Sequence, residues 1–191
     1  MTPVHAFKRF VPIVGLMLAA GCGYNTIQTY DEQVNAAAAQ IKVQLQRRAD
    51  LIPNLVETVK GYAKQEQTVF TEVAEARAKL AGAVQSGDLQ QMAEANRQLS
   101  APLGRLLAIA ENYPQLKSNE NFRALQDQLE GTENRIAVAR QDYNESVNRY
   151  NAYIRRFPQV LTAKVLGKGP RPYFELETPG AAQAPKVDFS K

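Results

Sequence analysis

Cys22 is the residue whose type and surroundings most clearly predict a covalent chemistry in this chain. It is the only cysteine, and it follows small residues that end an apolar stretch, 10–20, which begins directly after Lys8 and Arg9. A basic start, a short apolar run and a small-residue end are typical of a secretory signal peptide, and the run is well short of the roughly 20 residues that span a bilayer. We therefore expect residues 1–21 to be a signal peptide that is removed, which makes Cys22 the first mature residue.

A cysteine at the first mature position predicts a lipid anchor. In bacterial lipoproteins the sulfur of this residue accepts a diacylglyceryl group, so we expect the lipid bilayer to be a partner of the chain through acylated Cys22. The usual leucine three places before the cysteine is replaced by Ala19, with Leu18 one place earlier. We expect the chain in the cell envelope, on the extracytoplasmic, periplasmic face. In enterobacterial lipoproteins an aspartate directly after the cysteine is the usual signal for retention in the inner membrane. This chain has Gly23 there, so in a host with two membranes it resembles a lipoprotein sorted to the outer membrane. The alternative is a free thiol buried in a core.

His5 is the only histidine, and it lies in the segment that we expect to be removed. Without histidine or a free thiol, the mature chain cannot build Ser-His-Asp or Cys-His nucleophilic systems, histidine-ligated zinc or a haem site with a histidine axial ligand. We therefore expect no catalytic residue, no metal site and no cofactor. Carboxylates remain, so a carboxylate-based hydrolase acting on cell-wall glycans is the alternative.

The charge balance of the chain argues against nucleic-acid binding. The net charge is +4, and it falls to about +2 when Lys8 and Arg9 are removed with the signal peptide. This balance is not the basic footprint of a nucleic-acid binder, and a secreted location removes nucleic acid as a natural partner. We expect no nucleic-acid partner.

Apolar residues recur at spacings of three and four between residues 26 and 151, in a sequence rich in Ala, Gln, Glu, Leu and Arg. This periodicity predicts amphipathic helices, whose apolar stripes must be buried against one another. The expected fold class is all-α, an antiparallel up-and-down bundle of three or four long helices. The expected divisions are 1–21 for the signal peptide, 22–158 for the bundle, and 159–191 for a Pro- and Gly-rich tail that is mostly irregular and mobile.

Capping residues predict where two of the helices begin. Asp88 is expected to cap the third apolar segment, and either Ser118 or Asn119 is expected to cap the last one. The apolar stripe of that last helix continues to Phe157, directly before a proline. The expected helix is therefore about 38 residues long, or roughly 57 Å.

Pro53 leaves the number of helices open. It either bends one very long helix, or it lies in the first turn of a new helix that Asp50 caps. The first interpretation gives three helices and the second gives four.

Polar residues form two groups on these otherwise apolar helices. They are Arg47, Arg48, Asp50 and Asn54 around the proline, and Glu133, Asn134, Arg140, Asn144 and Asn151 along the last helix. A polar group buried without a partner costs about 1–3 kcal/mol, so we expect a structural network. We expect Arg47 or Arg48 to pair with Glu133. We also expect Asn144 or Asn151 to bond to the backbone exposed near the proline, and a partner-binding surface is the alternative.

A basic stretch follows the last helix, where the bundle gives way to the tail. It contains Arg155, Arg156, Lys164, Lys168 and Arg171. It predicts a solvated basic face, and contact with anionic lipid is the alternative.

Four ordered strings resemble the LemA family closely. They are RRADLIPNLVETVKGYAKQE at 47–66, ENYPQLKSNENF at 111–122, TENRIAVARQDYN at 132–144 and YNAYIRRFP at 150–158. The resemblance covers Tyr24 to Pro158, with a looser similarity in PYFE at 172–175. It implies a four-helix up-and-down bundle, extracytoplasmic and tethered at its N-terminus, and it favours a break between helices at Pro53. Many LemA-like chains begin with an uncleaved transmembrane helix, whereas this one offers Cys22 as a different tether.

The favoured function is a membrane-tethered extracytoplasmic bundle that acts as an interaction or scaffold module for an unidentified envelope protein, without chemistry of its own. This hypothesis depends on the anchor, the missing catalytic side chains and the length of the helices, which offers grooves to a partner. The glycan hydrolase and a carrier of small apolar ligands are the alternatives.

Overall fold

The computed structural model describes residues 23–174, and that part of the chain is all-helical, as predicted, without a strand. Its helices are α1 Tyr24–Lys60, α2 Gln67–Ser86, α3 Leu89–Asn112, α4 Pro114–Lys117, α5 Glu120–Ile154 and α6 Gln159–Val165. Four of them are long, and α4 and α6 are short. The predicted signal peptide, residues 1–21, and residues 175–191 of the predicted tail lie outside the described residues.

Helices α1 and α5 form the most extensive helix pair, and they run in opposite directions. At one end, the ring of Tyr30 meets that of Tyr153 edge to face, with centroids 5.2 Å apart. At the other end, Asn119, just before α5, donates a hydrogen bond of 3.0 Å to the hydroxyl of Tyr62, just after α1. The first half of α1 therefore lies beside the second half of α5.

Helices α2 and α3 form a hairpin that packs on α1. The turn has Gly87 at a φ of 75°, a left-handed conformation that glycine adopts without steric cost. Asp88 caps α3, because its carboxylate accepts hydrogen bonds from the amides of Gln90 at 2.8 Å and Gln91 at 3.1 Å. This prediction is confirmed, and Asn119 is the residue that caps α5.

The apolar stripes predicted from the sequence meet in one core. Buried members include Ile27, Ile41, Leu45, Ile52, Leu55, Val73, Leu80, Met92, Leu99, Leu106, Ile136, Val147 and Tyr150. Phe157 is an exception, since its side chain is 80% exposed. The prediction for it is wrong because α5 ends at Ile154, so the stripe has no helix to continue on.

Pro53 lies inside α1, which continues without interruption to Lys60. Of the two interpretations that the residues left open, the single long helix is therefore the one observed, and the break that the resemblance favoured at Pro53 is wrong. Proline has no amide hydrogen to donate to the carbonyl four residues earlier, which belongs to Ala49. That carbonyl accepts a hydrogen bond of 3.2 Å from Nε of Arg77 on α2 instead. A side chain from the neighbouring helix thus replaces the missing backbone donor.

Candidate functional site

Arg48 holds three helices together through one buried guanidinium. Arg48 is 6% exposed. Its guanidinium donates a hydrogen bond of 2.7 Å to Oδ1 of Asn96 on α3 and forms an ion pair with Glu133 on α5. Burial lowers the pKa of Arg48, and the charge of Glu133 opposes that shift. Of the two arginines proposed to pair with Glu133, Arg48 is the one that does so, whereas Arg47 is exposed.

Three side chains on α5 hold the tail segment, residues 166–174, through its backbone. Asn144 accepts a hydrogen bond of 2.8 Å from the amide of Phe174 and donates one of 3.2 Å to its carbonyl. Asn151 does the same at Arg171, at 2.8 Å and 2.9 Å. The hydroxyl of Tyr143 donates to the carbonyl of Pro172 at 2.9 Å. We call these three side chains the tail clamp.

The spacing of the two asparagines matches the spacing of the backbone that they hold. Seven residues of helix advance about 10.5 Å, and three residues of extended chain span about 10 Å. Asn144 and Asn151 therefore reach Phe174 and Arg171 in register, each amide acting as a peptide group would in a neighbouring strand.

The bonding of the asparagines to the backbone near Pro53 is a wrong prediction. Because α1 and α5 are antiparallel, Asn144 and Asn151 lie beside the first half of α1, away from Pro53. The carbonyl left free by the proline belongs to Ala49, and Arg77 already occupies it. Within the described part of the predicted tail, residues 159–165 form α6 and residues 171–174 are bonded to α5.

Asp31 on α1 forms a second attachment for the tail segment. Asp31 is 6% exposed. Its carboxylate accepts hydrogen bonds from Nζ of Lys168 at 2.6 Å and from the guanidinium of Arg171 at 2.8 Å. Burial raises the pKa of Asp31, but the hydrogen bonds from Lys168 and Arg171 outweigh it, so the pKa is lowered. Two cations of the basic stretch that the sequence predicts to be solvated are thereby paired with Asp31, although both side chains stay partly exposed.

An open groove runs along α5 beside the tail segment. It is lined by Ala137, Arg140, Gln141, Asn144, Glu145, Asn148 and Tyr173. The guanidinium of Arg140 lies 5.1 Å from the ring centre of Phe174, and its Nε is buried without a hydrogen-bond partner among residues 23–174. Burial lowers the pKa of Arg140. The groove thus presents a cation, amides and an aromatic ring.

The residues that line the groove do not support the hypothesis of a glycan hydrolase. Such an enzyme needs two carboxylates in one cleft, one of them with a raised pKa, and Glu145 is the single acidic residue of this lining. The described carboxylates whose pKa is shifted, Asp31 and Glu94, both have it lowered, that of Glu94 to about 2 by its hydrogen bonds with Arg97 and Gln98. Within residues 23–174, no cluster of three or more histidine, cysteine or acidic side chains is arranged to hold a metal.

The remaining predicted residues do not join these clusters. Asp50, Asn54 and Asn134 are exposed, and Asp50 accepts a hydrogen bond from Gln46 one turn earlier. Cys22 lies outside the described residues. Asp31 and Asn96 are the participants that sequence reasoning missed, since a polar residue in an apolar stripe was their only signal.

The start of α1 lies against the end of α5 and the start of α6. A Cβ added to Gly23 would come within 3.2 Å of the hydroxyl of Tyr153 and 3.1 Å of the side chain of Gln159. The residue that follows Cys22 is therefore packed at this end of the molecule. Over residues 23–174, no helix combines the length and the apolar character needed to cross a bilayer.

Comparisons with known proteins agree with the resemblance seen in the sequence. The LemA family model matches residues 37–189, so the match continues past Pro158. Magnetosome proteins MamQ 1 and MamQ 2 of Paramagnetospirillum magneticum are each 27% identical to this chain over an alignment 203 positions long, which covers 93% of this chain and 75% of theirs. Magnetosome protein MamQ of Magnetospirillum gryphiswaldense is 27% identical over 180 aligned residues, covering 82% of this chain and 66% of its own.

Proposed function

The chain belongs to the LemA family, and from this we propose that it is a helical scaffold, tethered to a membrane by lipid on Cys22 and exposed on the extracytoplasmic side. Its ligands are then other envelope proteins, and it has no chemistry of its own. The relatives reported above are named as magnetosome proteins and not as enzymes, which agrees with such a role.

The observation that carries the proposal is the position of Gly23. This residue lies at the end of the long α1 and α5 pair, against Tyr153 and Gln159. An acyl chain on Cys22 would therefore hold the molecule by one end. Helix α1 has 37 residues, so it is about 55 Å long and offers a long lateral surface to a partner.

We also propose that α1, α2, α3 and α5 form an up-and-down four-helix bundle. The antiparallel contacts of α1 with α5 support this arrangement, and so does the ion pair of Glu72 near the start of α2 with Arg105 near the end of α3. Arg48 supports it further, because its contacts reach both α3 and α5. Buried polar groups of this kind are known to select one register of packed helices.

The groove on α5 is the surface that we assign to the partner. Asn148 in its lining is exposed, and the groove places Arg140, several amides and an aromatic ring side by side. Such mixed polar and aromatic surfaces are suited to recognising a peptide segment of another protein.

Crosslinking in intact cells tests this proposal. A photoreactive amino acid at Asn148 is expected to capture a discrete envelope protein, whereas the same residue at Glu75, exposed on α2, is expected to capture far less of it. Equal capture at the two positions, or none at Asn148, would contradict the assignment of the groove. Mass spectrometry of the mature N-terminus tests the tether, and an unmodified Cys22 would refute it, with Cys22→Ser as the matched control.

A further inference from the structure

Helix α6 and the residues directly before it present an exposed apolar surface. Phe157 is 80% exposed, Leu161 is 53% exposed and Val165 is 86% exposed. These residues are four apart, a spacing that places Leu161 and Val165 on one side of the helix. The other side of α6 faces the molecule, since Ala163 is 3% exposed. The apolar side chains are therefore directed away from the core.

Exposed basic residues are sequence neighbours of these apolar residues, and acidic residues are absent from the same stretch of sequence. Arg155, Arg156 and Lys164 are exposed, and the described residues supply them with no ion pair. No aspartate or glutamate occurs between residues 152 and 174. Lys168 and Arg171 differ from the other three because both form ion pairs with Asp31. The cations of this stretch without an ion pair among residues 23–174 are thus the ones next to the apolar residues in the sequence.

The position of α6 in the fold is set from two sides. Gln159 at its start lies against Gly23, the residue after Cys22. The tail segment that follows α6 is held by Asp31 and Asn151. One residue of chain spans at most about 3.8 Å, so an anchor on Cys22 would lie close to this helix.

We propose that Phe157, Leu161 and Val165, together with Arg155, Arg156 and Lys164, form an interfacial patch that binds the surface of an anionic bilayer. The inference rests on the proposed tether, which places this end of the molecule at the membrane. Apolar side chains flanked by cations are suited to the boundary between acyl chains and anionic headgroups. The patch gives the lipid-anchored molecule a second contact and a defined orientation on its membrane.

The chain contains no tryptophan, so a single introduced tryptophan reports its own surroundings. Val165→Trp tests the patch, and Val138→Trp is the matched control, because Val138 is 58% exposed on α5. It lies 16 residues before the end of that helix, about 24 Å away. The full chain of each variant is purified from membranes and reconstituted into phosphatidylglycerol-rich vesicles with and without brominated phospholipid. Circular dichroism checks that both variants keep their helix content.

The expected result is a blue-shifted emission and at least twofold quenching by brominated lipid for Val165→Trp, with neither for Val138→Trp. Adding Arg155→Glu and Arg156→Glu to Val165→Trp is expected to reduce the quenching. Emission from Val165→Trp that is water-like, or quenching equal to that of the control, would overturn the patch, and quenching unchanged by charge reversal would overturn its electrostatic part.

The mass of the mature N-terminus is measured on the same samples. An acylated Cys22 with an unquenched Val165→Trp refutes the patch alone and leaves the tether standing. A quenched Val165→Trp with an unmodified Cys22 refutes the tether and supports direct contact of the patch with lipid.

Discussion

The bond from Arg77 to the carbonyl of Ala49 explains how α1 accommodates Pro53, and it predicts an energetic coupling between residues 53 and 77. Arg77→Met removes the donor and keeps most of the apolar stem of the side chain. Ala49 is 0% exposed, so its carbonyl is left without a donor in a buried position. Pro53→Ala restores a backbone amide that can donate to the same carbonyl. The substitution at Arg77 should therefore matter much less in the alanine background.

The magnitude follows from the geometry. A buried carbonyl without a donor costs about 1–3 kcal/mol, and a hydrogen bond to a charged group contributes about 1.5–3 kcal/mol. The bond is 3.2 Å long and Arg77 is half-buried, which favours the lower end, about 1–2 kcal/mol. In the Pro53→Ala background, we expect Arg77→Met to lower the free energy of unfolding by about 0.5 kcal/mol or less, so the coupling energy between the two positions is about 1 kcal/mol. The single variant Pro53→Ala should be more stable than the original chain.

Thermal unfolding followed by circular dichroism at the helix band measures this coupling across the four proteins of the double-mutant cycle. For a chain of this size, 1 kcal/mol corresponds to about 2–4 °C in Tm, so Arg77→Met should lower Tm by about 2–8 °C. An equal loss of stability in both backgrounds, or no loss in the original chain, would refute the reasoning. Arg97→Met, at an exposed arginine on α3, is the matched control and should shift Tm by less than about 2 °C.

The other contacts of the site lead to three further predictions. Asn151→Leu removes both bonds to the backbone of Arg171, so amide exchange in residues 166–174, measured by mass spectrometry, should become at least about tenfold faster; unchanged protection would show that the clamp does not hold the tail. The pKa of Asp31 is lowered in the fold, so its contribution is present at neutral pH and is lost as the pH falls below about 4. Asp31→Asn should therefore cost about 1 kcal/mol at pH 7, where the partly exposed cations limit the effect, and the difference in Tm between the two proteins should narrow towards pH 3; a gap independent of pH would contradict this. Glu133→Leu should destabilise by about 3 kcal/mol and Arg48→Met by about 1–2 kcal/mol in urea unfolding, because only the first leaves a buried charge unpaired; the reverse order would show that the guanidinium is hydrated.

The elements of the fold could be predicted from the sequence because their signals are local. The spacing of three and four between apolar residues specifies a buried helical stripe, and it placed Ile41, Leu80 and Ile136 in the core correctly. Asp88 and Asn119 were predictable as caps for the same reason, since a cap bonds to amides two or three residues ahead. The family, too, was readable from ordered strings of residues, and the family match confirms it.

The partners of the polar side chains were decided by the tertiary structure. Pro53 has the same local sequence whether it ends a helix or lies within one, and Arg77, 28 residues from Ala49, makes the continuous helix possible. Asp31 pairs with Lys168 and Arg171, which follow it in the chain by 137 and 140 residues.

The sequence by itself determined that residues 26–151 are built from long helices with one apolar face each, because this pattern depends on neighbours within one or two turns. Only the tertiary structure decided that Asn144 and Asn151 hold the tail and that α6 turns an apolar side outward beside Gly23. The physical reason is that a side chain interacts with the groups that lie within a few ångströms of it. Which groups those are depends on how helices that are distant in the sequence pack against one another in antiparallel pairs.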